Sequence, residues 1–164
     1  MDVIEMSVDS IRVHMPSGQH VVVLKQKDAE RFLPIWVGMA EANAIALKIT
    51  GIKPDRPQPH DLMVNMLTML DVTVNRVVVS ELRDDTFHAR IIGTREGNEV
   101  VFDARPSDAI ALAVRVDSPI YVVDEVLDQA GVLPDSQSED GSRLAVFQQM
   151  VNDMNLPDLD TPDA

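Results

Sequence analysis

Two short segments place acidic and basic side chains close together at the start of an expected helix. In the first segment, Asp103 and Arg105 precede Pro106, and Ser107 and Asp108 follow it. Proline suits the first position of a helix and pushes the residue before it away from helical geometry, so the helix should begin at Pro106. The ionisable side chains would then lie within one turn of each other. A core helix does not require such a group.

The second segment repeats this arrangement with Arg56, Pro59, His60 and Asp61. Pro59 takes the first helical position, and His60 and Asp61 follow it directly. Each acid alone has a structural explanation, because a carboxylate in the first turn offsets the helix dipole by about 0.3–1 kcal/mol when exposed. A purely structural explanation is weaker for two helix starts of the same kind than for either acid alone.

The elements around these segments predict the fold. Every residue from Ala109 to Val114 is apolar, so the helix that starts at Pro106 should be buried on nearly all sides. Strand patterns cover 3–15, 20–24, 31–37, 72–82, 86–94, 99–103 and 118–123, and helical patterns cover 39–50, 59–70 and 124–130. This order predicts an α+β fold, a single compact domain with a mostly antiparallel sheet, packed helices and a central buried helix. A Gly-rich phosphate loop is absent from the sequence.

Individual side chains of these elements also carry expectations. Trp36, the only tryptophan, is interpreted as a core anchor rather than a ligand-stacking residue. Glu41 lies in the first turn of its helix, where it either offsets the dipole or points into a cleft. The helix at 59–70 should turn four apolar residues inward, namely Leu62, Met66, Met69 and Leu70.

Composition limits the classes of function. The chain has 164 residues, enough for one well-buried core, and its net charge of -13 argues against tight nonspecific binding to phosphate backbones. It has no cysteine, which excludes thiol catalysis and cysteine-ligated zinc. The first residues lack a signal sequence, and no apolar run approaches the length that spans a membrane. We expect a cytoplasmic protein without membrane contact.

The composition changes after Pro134. Residues 135–164 carry seven acids and a single base, and the segment begins with the Asp, Ser, Gln, Glu and Gly typical of a solvated linker. We therefore expect a folded domain at 1–134 and an acidic tail at 135–164. Apolar residues at helical spacing predict an amphipathic helix at 143–154, which would contact the domain or a protein partner, with disorder as the alternative. They are Leu144, Phe147, Val151 and Met154.

Several motifs resemble, in order, the bifunctional nuclease (BFN) domain family. They are Leu33-Pro34-Ile35-Trp36-Val37-Gly38, Glu41-Ala42, Arg56-Pro57 with His60-Asp61-Leu62, Asp103-Ala104-Arg105-Pro106-Ser107-Asp108-Ala109, and Pro119-Ile120-Tyr121-Val122. The resemblance covers about residues 3–134, and the Asp-Ala-Arg-Pro-Ser-Asp-Ala core is highly specific. It implies a compact α+β domain that forms a homo-oligomer, and nuclease activity on RNA and DNA.

The resemblance implies roles in phosphodiester hydrolysis for the residues at the matching positions. Hydrolysis needs an activated water and stabilisation of charge on the phosphoryl oxygens, which Mg²⁺ or Mn²⁺ held by carboxylates and an arginine commonly supply. The catalytic candidates are His60 as general base, Asp61, Asp103 and Asp108. The substrate-binding candidates are Arg56, Arg105 and Ser107. The candidate metal ligands are Glu41, Asp61, Asp103 and Asp108.

Two other functions explain the same residues. In a regulatory or protein-interaction module without catalysis, Arg56 and Arg105 would form buried ion pairs with the neighbouring acids and lock the helix starts. This alternative agrees better with an acidic surface. In a small-ligand binder, the arginine-rich cleft would be kept and catalysis would be absent.

Overall fold

The structure, a computed structural model, describes residues 2–14 and 16–134. This part of the chain forms seven strands and four helices in an α+β arrangement, as predicted. The strands are β1 (Val3–His14), β2 (Gln19–Gln26), β3 (Phe32–Val37), β4 (Val72–Arg83), β5 (Thr86–Arg95), β6 (Asn98–Ala104) and β7 (Ile120–Val123). The helices are α1 (Met39–Ile49), α2 (Pro59–Met69), α3 (Pro106–Val116) and α4 (Asp124–Ala130).

Local chemistry sets the ends of the helices that matter for the site. Pro59 and Pro106 occupy the first positions of α2 and α3, where a missing N–H group leaves no hydrogen bond unmade. At the other end of α3, Asp117 adopts a left-handed conformation with φ of 54° and stops the helix. Both proline-based predictions of helix starts are confirmed.

All seven strands form one sheet in the order β3-β2-β1-β7-β4-β5-β6. Neighbouring strands are antiparallel except for β4 and β7, which are parallel. The register shifts once in the pairing of β1 with β2 and twice in the pairing of β4 with β5. Such bulges increase the local twist and bend of a strand. The sheet curves enough for residues of β3 and β5, which four strands separate, to line one cavity.

Helix α3 is the centre of the hydrophobic core. Its residues 109–113 are at most 1% exposed, which confirms the central buried helix. Helices α1 and α2 both pack against α3, and α3 in turn packs against β4 and β5. The position of α3 therefore determines where the first turns of α1 and α2 can lie.

The expected orientation of α2 is wrong. The four apolar residues expected to face the core are 53–84% exposed, namely Leu62, Met66, Met69 and Leu70. Instead, His60 is buried, and Val64 and Leu67 pack against the core. Apolar residues occur on both sides of this helix, so spacing alone does not determine which side faces inward. The first turn of α2 adds polar contacts on the inward side, where His60 and Asp61 hydrogen bond with residues of α3.

Within the described ranges, no helix is long and apolar enough to cross a membrane. The expected tail at 135–164, with its helix at 143–154, lies outside the described residues. A homo-oligomer, a protein partner for the tail and a cytoplasmic location stay predictions.

The difference in burial between α2 and α3 leads to a stability prediction. We expect Leu112→Ala, at a side chain 1% exposed, to lower the free energy of unfolding by about 2–5 kcal/mol because it leaves a cavity. We expect Met69→Ala, at a side chain 84% exposed, to change it by less than about 0.5 kcal/mol. Urea unfolding of both variants measures the difference, and similar losses in the two would contradict the orientation of α2.

Candidate functional site

The carboxylate of Asp108 connects the first turns of α2 and α3. Its Oδ1 accepts a hydrogen bond from Nε2 of His60 at 2.9 Å, and its Oδ2 accepts one from Nε of Arg105 at 2.8 Å. The His60 side chain is only 6% exposed, and its other ring nitrogen, Nδ1, is buried without a hydrogen-bond partner among the described residues. The two helix starts identified in the sequence thus come together, and Asp108 joins them.

Arg105 extends this connection to α1. Its Nη2 donates to Oε1 of Glu41 at 2.7 Å, while its Nε donates to Asp108. The hydrogen bond from Arg105 is the main cause that lowers the pKa of Glu41 below its ordinary value, and the same bond raises the pKa of Arg105. The four side chains of His60, Asp108, Arg105 and Glu41, which we call the Arg105 cluster, therefore join three helices.

Gly38 makes room for the Glu41 side chain. It precedes α1 and has extended backbone geometry that any residue can adopt. A Cβ atom added to Gly38 would lie 2.2 Å from Oε2 of Glu41, which is far too close for a real contact. A glycine at this position lets the carboxylate fold back over the start of α1 and reach Arg105.

A second ion pair fixes α2 against the opposite end of α3. Nε of Arg115, in the last turn of α3, donates to Oδ1 of Asp61 at 2.8 Å. The Arg115 side chain is 6% exposed, and its two other nitrogens donate to the backbone carbonyls of Ala111 and Ala44. All three guanidinium nitrogens are therefore used in holding α1, α2 and α3 together.

Asp61 also caps its own helix. Its Oδ2 accepts a hydrogen bond from the backbone N–H of Gln58, and the Gln58 side chain accepts one from the third residue of the helix. Burial acts to raise the pKa of Asp61, but the hydrogen bonds from Gln58 and Arg115 outweigh it and hold the pKa below its ordinary value. Asp61 thus has a structural role that accounts for both of its oxygens.

Two other predicted site residues, Asp103 and Arg56, lie outside the Arg105 cluster. Asp103 is on β6, exposed and opposite Arg90 of β5. Arg56 is exposed in the segment between α1 and α2, where its backbone carbonyl accepts a hydrogen bond from Gln58. Within residues 2–14 and 16–134, no three His, Asp or Glu side chains are grouped so that they could hold a metal ion. The structure does not gather the four expected metal ligands.

A cavity of about 370 Å³ opens beside the Arg105 cluster. We call it the Trp36 cavity, and its lining comes from β3 and Gly38, the turn into β5, and the start of α3: Ile35, Trp36, Val37, Gly38, Asp85, Thr86, Phe87, Arg105, Pro106 and Ser107. Trp36 is 45% exposed, so its interpretation as a core anchor is wrong. Ile35, its neighbour on the other face of β3, is buried in the core instead.

The arrangement places a cation of fixed orientation beside an open cavity. Arg105 is 64% exposed although two carboxylates hold its guanidinium. Hydrogen bonds from Nε and Nη2 use one edge of the group, and Nη1 has no such bond to the described residues. A guanidinium that is already oriented can bind an anionic oxygen without first losing side-chain freedom. The site is therefore suited to contact a phosphate or carboxylate group.

Comparison with known proteins identifies the family. A family model described as bifunctional nuclease domain matches residues 22–135, more than half of the chain. This chain belongs to the bifunctional nuclease domain family. The family model covers all four residues of the Arg105 cluster. These residues also belong to the motifs at the starts of α1, α2 and α3 that resemble the family.

Three relatives illustrate how much of this chain and of each related protein the similarity covers. An uncharacterized protein of Mycobacterium tuberculosis is 40% identical over 147 residues, covering 90% of this chain and 88% of that protein. Bifunctional nuclease 2 of Oryza sativa subsp. japonica is 28% identical, covering 88% of this chain and 45% of that protein. Bifunctional nuclease 1 of Arabidopsis thaliana is 30% identical, covering 65% and 37% respectively. The plant proteins are therefore more than twice as long as the part that matches.

Sequence reasoning missed two residues that build the site. Arg115 was visible only as a basic residue after an apolar run, a position where a cation commonly offsets the helix dipole. Its partner Asp61 is 54 residues away in the sequence, and spacing gives no signal for such a contact. Gly38 directly follows the strand pattern at 31–37, and this position alone suggests no more than the end of the strand. A glycine three residues before an acid in a first turn was the available signal for a carboxylate that folds back.

The lowered pKa values predict how stability depends on pH. A carboxyl whose pKa is lower in the folded state stabilises the fold fully above its unfolded pKa, and this stability is lost as pH falls through the folded value. We expect the free energy of unfolding in urea to decrease as pH falls below about 4.5, the ordinary pKa of Glu41. Glu41→Gln should show a smaller decrease, whereas Glu99→Gln, at an exposed acid of β6, should behave like the unaltered protein.

The close approach at Gly38 predicts a specific effect of adding one methyl group. Gly38→Ala should move the Glu41 carboxylate away from Arg105, because the new Cβ would occupy its position. The pKa of Glu41 should then rise towards its ordinary value of 4.5. An NMR titration of the side-chain carboxyl carbon measures this change. An unaltered Glu41 titration in a folded Gly38→Ala protein would contradict the contact.

The Asp61–Arg115 pair predicts an asymmetric result. Asp61→Asn should lower the free energy of unfolding by roughly 2–3 kcal/mol, because Arg115 would stay buried without its charged partner. This is less than for a fully buried pair, since Asp61 is 35% exposed. In an Arg115→Met background the same change should cost much less. Equal costs in the two backgrounds, measured by urea unfolding, would show that the pair is not coupled.

Proposed function

We propose that this protein hydrolyses phosphodiester bonds in RNA, DNA or both. Membership in the bifunctional nuclease domain family supports the reaction class, and the plant relatives carry the name bifunctional nuclease. The observation on which the proposal mainly rests is Arg105. Two carboxylates hold it, it is 64% exposed, and it borders the Trp36 cavity.

Arg105 would contact a non-bridging oxygen of the phosphate and offset the charge that develops there during attack. Nη1, which makes no hydrogen bond to the described residues, and the exposed edge of the guanidinium are available for this contact. Glu41 and Asp108 partly neutralise Arg105, so long-range attraction of nucleic acid would be weak. Their hydrogen bonds nevertheless fix the direction of the group, and stabilisation by an oriented donor acts at contact distance. Ser107, next to Arg105 and Pro106 in the cavity lining, would add a hydroxyl donor.

The His60–Asp108 pair would move the proton in this proposal. As a water oxygen attacks phosphorus, the water proton passes to His60, the P–O bond to the leaving group breaks, and the leaving oxygen takes up a proton from solvent. His60 then returns its proton to solvent. Asp108 holds Nε2 of His60, so Nδ1 is the nitrogen available as acceptor. Nδ1 is enclosed by protein in the described structure, so this proton transfer requires that the site open to water.

The proposal includes a reaction assisted by Mg²⁺ or Mn²⁺, and the cleavage experiment tests whether either ion is needed. Asp61 and Asp108 each use both oxygens in hydrogen bonds, and the acids do not form a metal-binding group in the described residues. This arrangement does not fit the four-carboxylate site expected from the sequence. The step described above uses only side chains of this protein. The cleavage rates with added metal and with EDTA measure whether an ion takes part.

A second function is favoured by the completeness of these ion pairs. Glu41, Asp61 and Asp108 each accept hydrogen bonds from a cationic side chain of another part of the fold or of their own helix. Such pairing is what a regulatory or protein-interaction module would need to hold its helices in place without any reaction. In that case Arg105 is structural, and its exposure serves no substrate.

Cleavage of fluorescent single-stranded RNA and DNA tests the nuclease proposal. We expect the full chain to cleave at least one of them, and Asp108→Asn to reduce the rate by about 100-fold or more while His60 keeps a hydrogen-bond partner. Arg105→Lys should reduce it similarly, because a lysine cannot contact Glu41, Asp108 and phosphate in the same fixed plane. Each reaction is run with Mg²⁺, with Mn²⁺ and with EDTA.

Matched variants separate a chemical role from a structural one. Asp128→Asn and Arg83→Lys change an ion-paired acid and an ion-paired arginine outside the Arg105 cluster, and both should retain full activity. Thermal unfolding confirms that every variant is folded. Equal cleavage by the unaltered protein and Asp108→Asn would reveal a contaminating nuclease. Either that result or an absence of cleavage by every variant would favour the interaction module.

A further inference from the structure

The Trp36 cavity has features that the Arg105 cluster does not need. Its volume of about 370 Å³ lies in the range of sites that enclose small ligands, roughly 300–1,000 Å³. Hydrolysis at a phosphate held by Arg105 would require only an open surface. A cavity next to that phosphate can enclose a neighbouring part of the substrate.

The two aromatic side chains of the cavity come from distant strands. Trp36 is on β3 and Phe87 is at the start of β5, and the curvature of the sheet brings both to the same cavity. Aromatic residues are only 4% of this chain, and Trp36 is the only tryptophan. An indole that is 45% exposed in a protein with so few aromatic residues offers a flat apolar surface. Such surfaces bind planar rings by stacking.

Ser107 adds a hydroxyl group to the cavity lining. The residue is only 6% exposed, and its hydroxyl can both donate and accept a hydrogen bond. A polar ligand group that enters the cavity could therefore hydrogen bond with it.

The charges of the lining determine which part of a nucleotide fits inside. Among the described residues, Arg105 is the only cation of the lining, and it lies beside Glu41 and Asp108. Asp85 is an acid of the same lining, so a phosphate within the cavity would be repelled. A nucleobase is planar and uncharged, and its edge can hydrogen bond with Ser107, Thr86 and Asp85. The phosphate would stay at the exposed guanidinium.

We propose that the Trp36 cavity binds one unpaired nucleobase, stacked on Trp36, with the phosphate of the same nucleotide at Arg105. The inference rests on the proposed function only for the later cleavage at that phosphate. Binding of the nucleotide does not depend on the proposed function. A base within a duplex is paired and stacked between its neighbours, so it cannot enter without leaving the helix. The substrate class is therefore single-stranded nucleic acid.

Binding of adenosine 5′-monophosphate (AMP) to the full chain tests this inference separately from cleavage, because AMP contains no phosphodiester bond. Trp36 is the only tryptophan, so its intrinsic fluorescence reports directly on the cavity. We expect saturable quenching by AMP and at least about tenfold weaker binding of ribose 5-phosphate, which lacks the base. Equal binding of the two, or no binding of AMP, would overturn the proposal.

Variants of residues inside and outside the lining test whether the base binds in the cavity. Isothermal titration calorimetry should show about 5- to 100-fold weaker binding of AMP to Trp36→Ala, as expected for the loss of one stacking contact, and unchanged binding of ribose 5-phosphate. Ser107→Ala should weaken AMP binding less. Phe102→Ala, at an exposed aromatic residue of β6 outside the lining, is the matched control and should bind normally. A Trp36→Ala protein that binds AMP normally would overturn the proposal.

The two proposals can fail independently. AMP binding that depends on Trp36, without cleavage of any nucleic acid, would support the base-binding cavity and overturn the nuclease. Cleavage that depends on Asp108, with no effect of Trp36→Ala on AMP binding or on the preference for single strands over duplex, would support the nuclease and overturn the cavity.

Discussion

The carboxylate of Asp108 is the interaction on which the arrangement of the helices depends. It accepts hydrogen bonds from His60 of α2 and from Arg105 at the start of α3, and Arg105 carries the connection to Glu41 of α1. His60 is almost fully buried, and its other nitrogen has no hydrogen-bond partner in the part of the chain that the structure describes. Without Asp108 the imidazole would be buried with neither nitrogen hydrogen bonded, which is costly in an apolar environment. One side chain thus holds three first turns in register.

The same acids stabilise their own helices. Glu41, Asp61 and Asp108 each lie in a first turn, where a negative charge offsets the helix dipole. Each also accepts a hydrogen bond from an arginine, and in two of the three the arginine belongs to another element. The structural and functional explanations of these residues are therefore compatible. A group placed by strong structural constraints is also a group of fixed orientation, and fixed orientation is what electrostatic catalysis requires.

The sequence predicted what local chemistry controls. Pro59 and Pro106 marked two helix starts because proline limits backbone geometry within one or two residues. The apolar run of α3 predicted burial because no polar side remained. The errors concern choices that local patterns leave open. Trp36 and its neighbour Ile35 fit either face of β3, and α2 has apolar residues on both sides. Arg115 finds its partner 54 residues away, a contact that only the assembled core creates.

The order of the strands has a consequence for how the chain folds. Strands β1 to β3 pair with sequence neighbours, and so do β4 to β6, so each half of the sheet can form locally. The two halves meet only through β7, a strand of four residues that follows both in the chain. Joining them requires long-range loop closure, which is slow because its entropy is lost before the new contacts form. Until Ile120–Val123 has been synthesised, the strand that joins the two halves into one sheet is missing, and only the helices can hold the halves together.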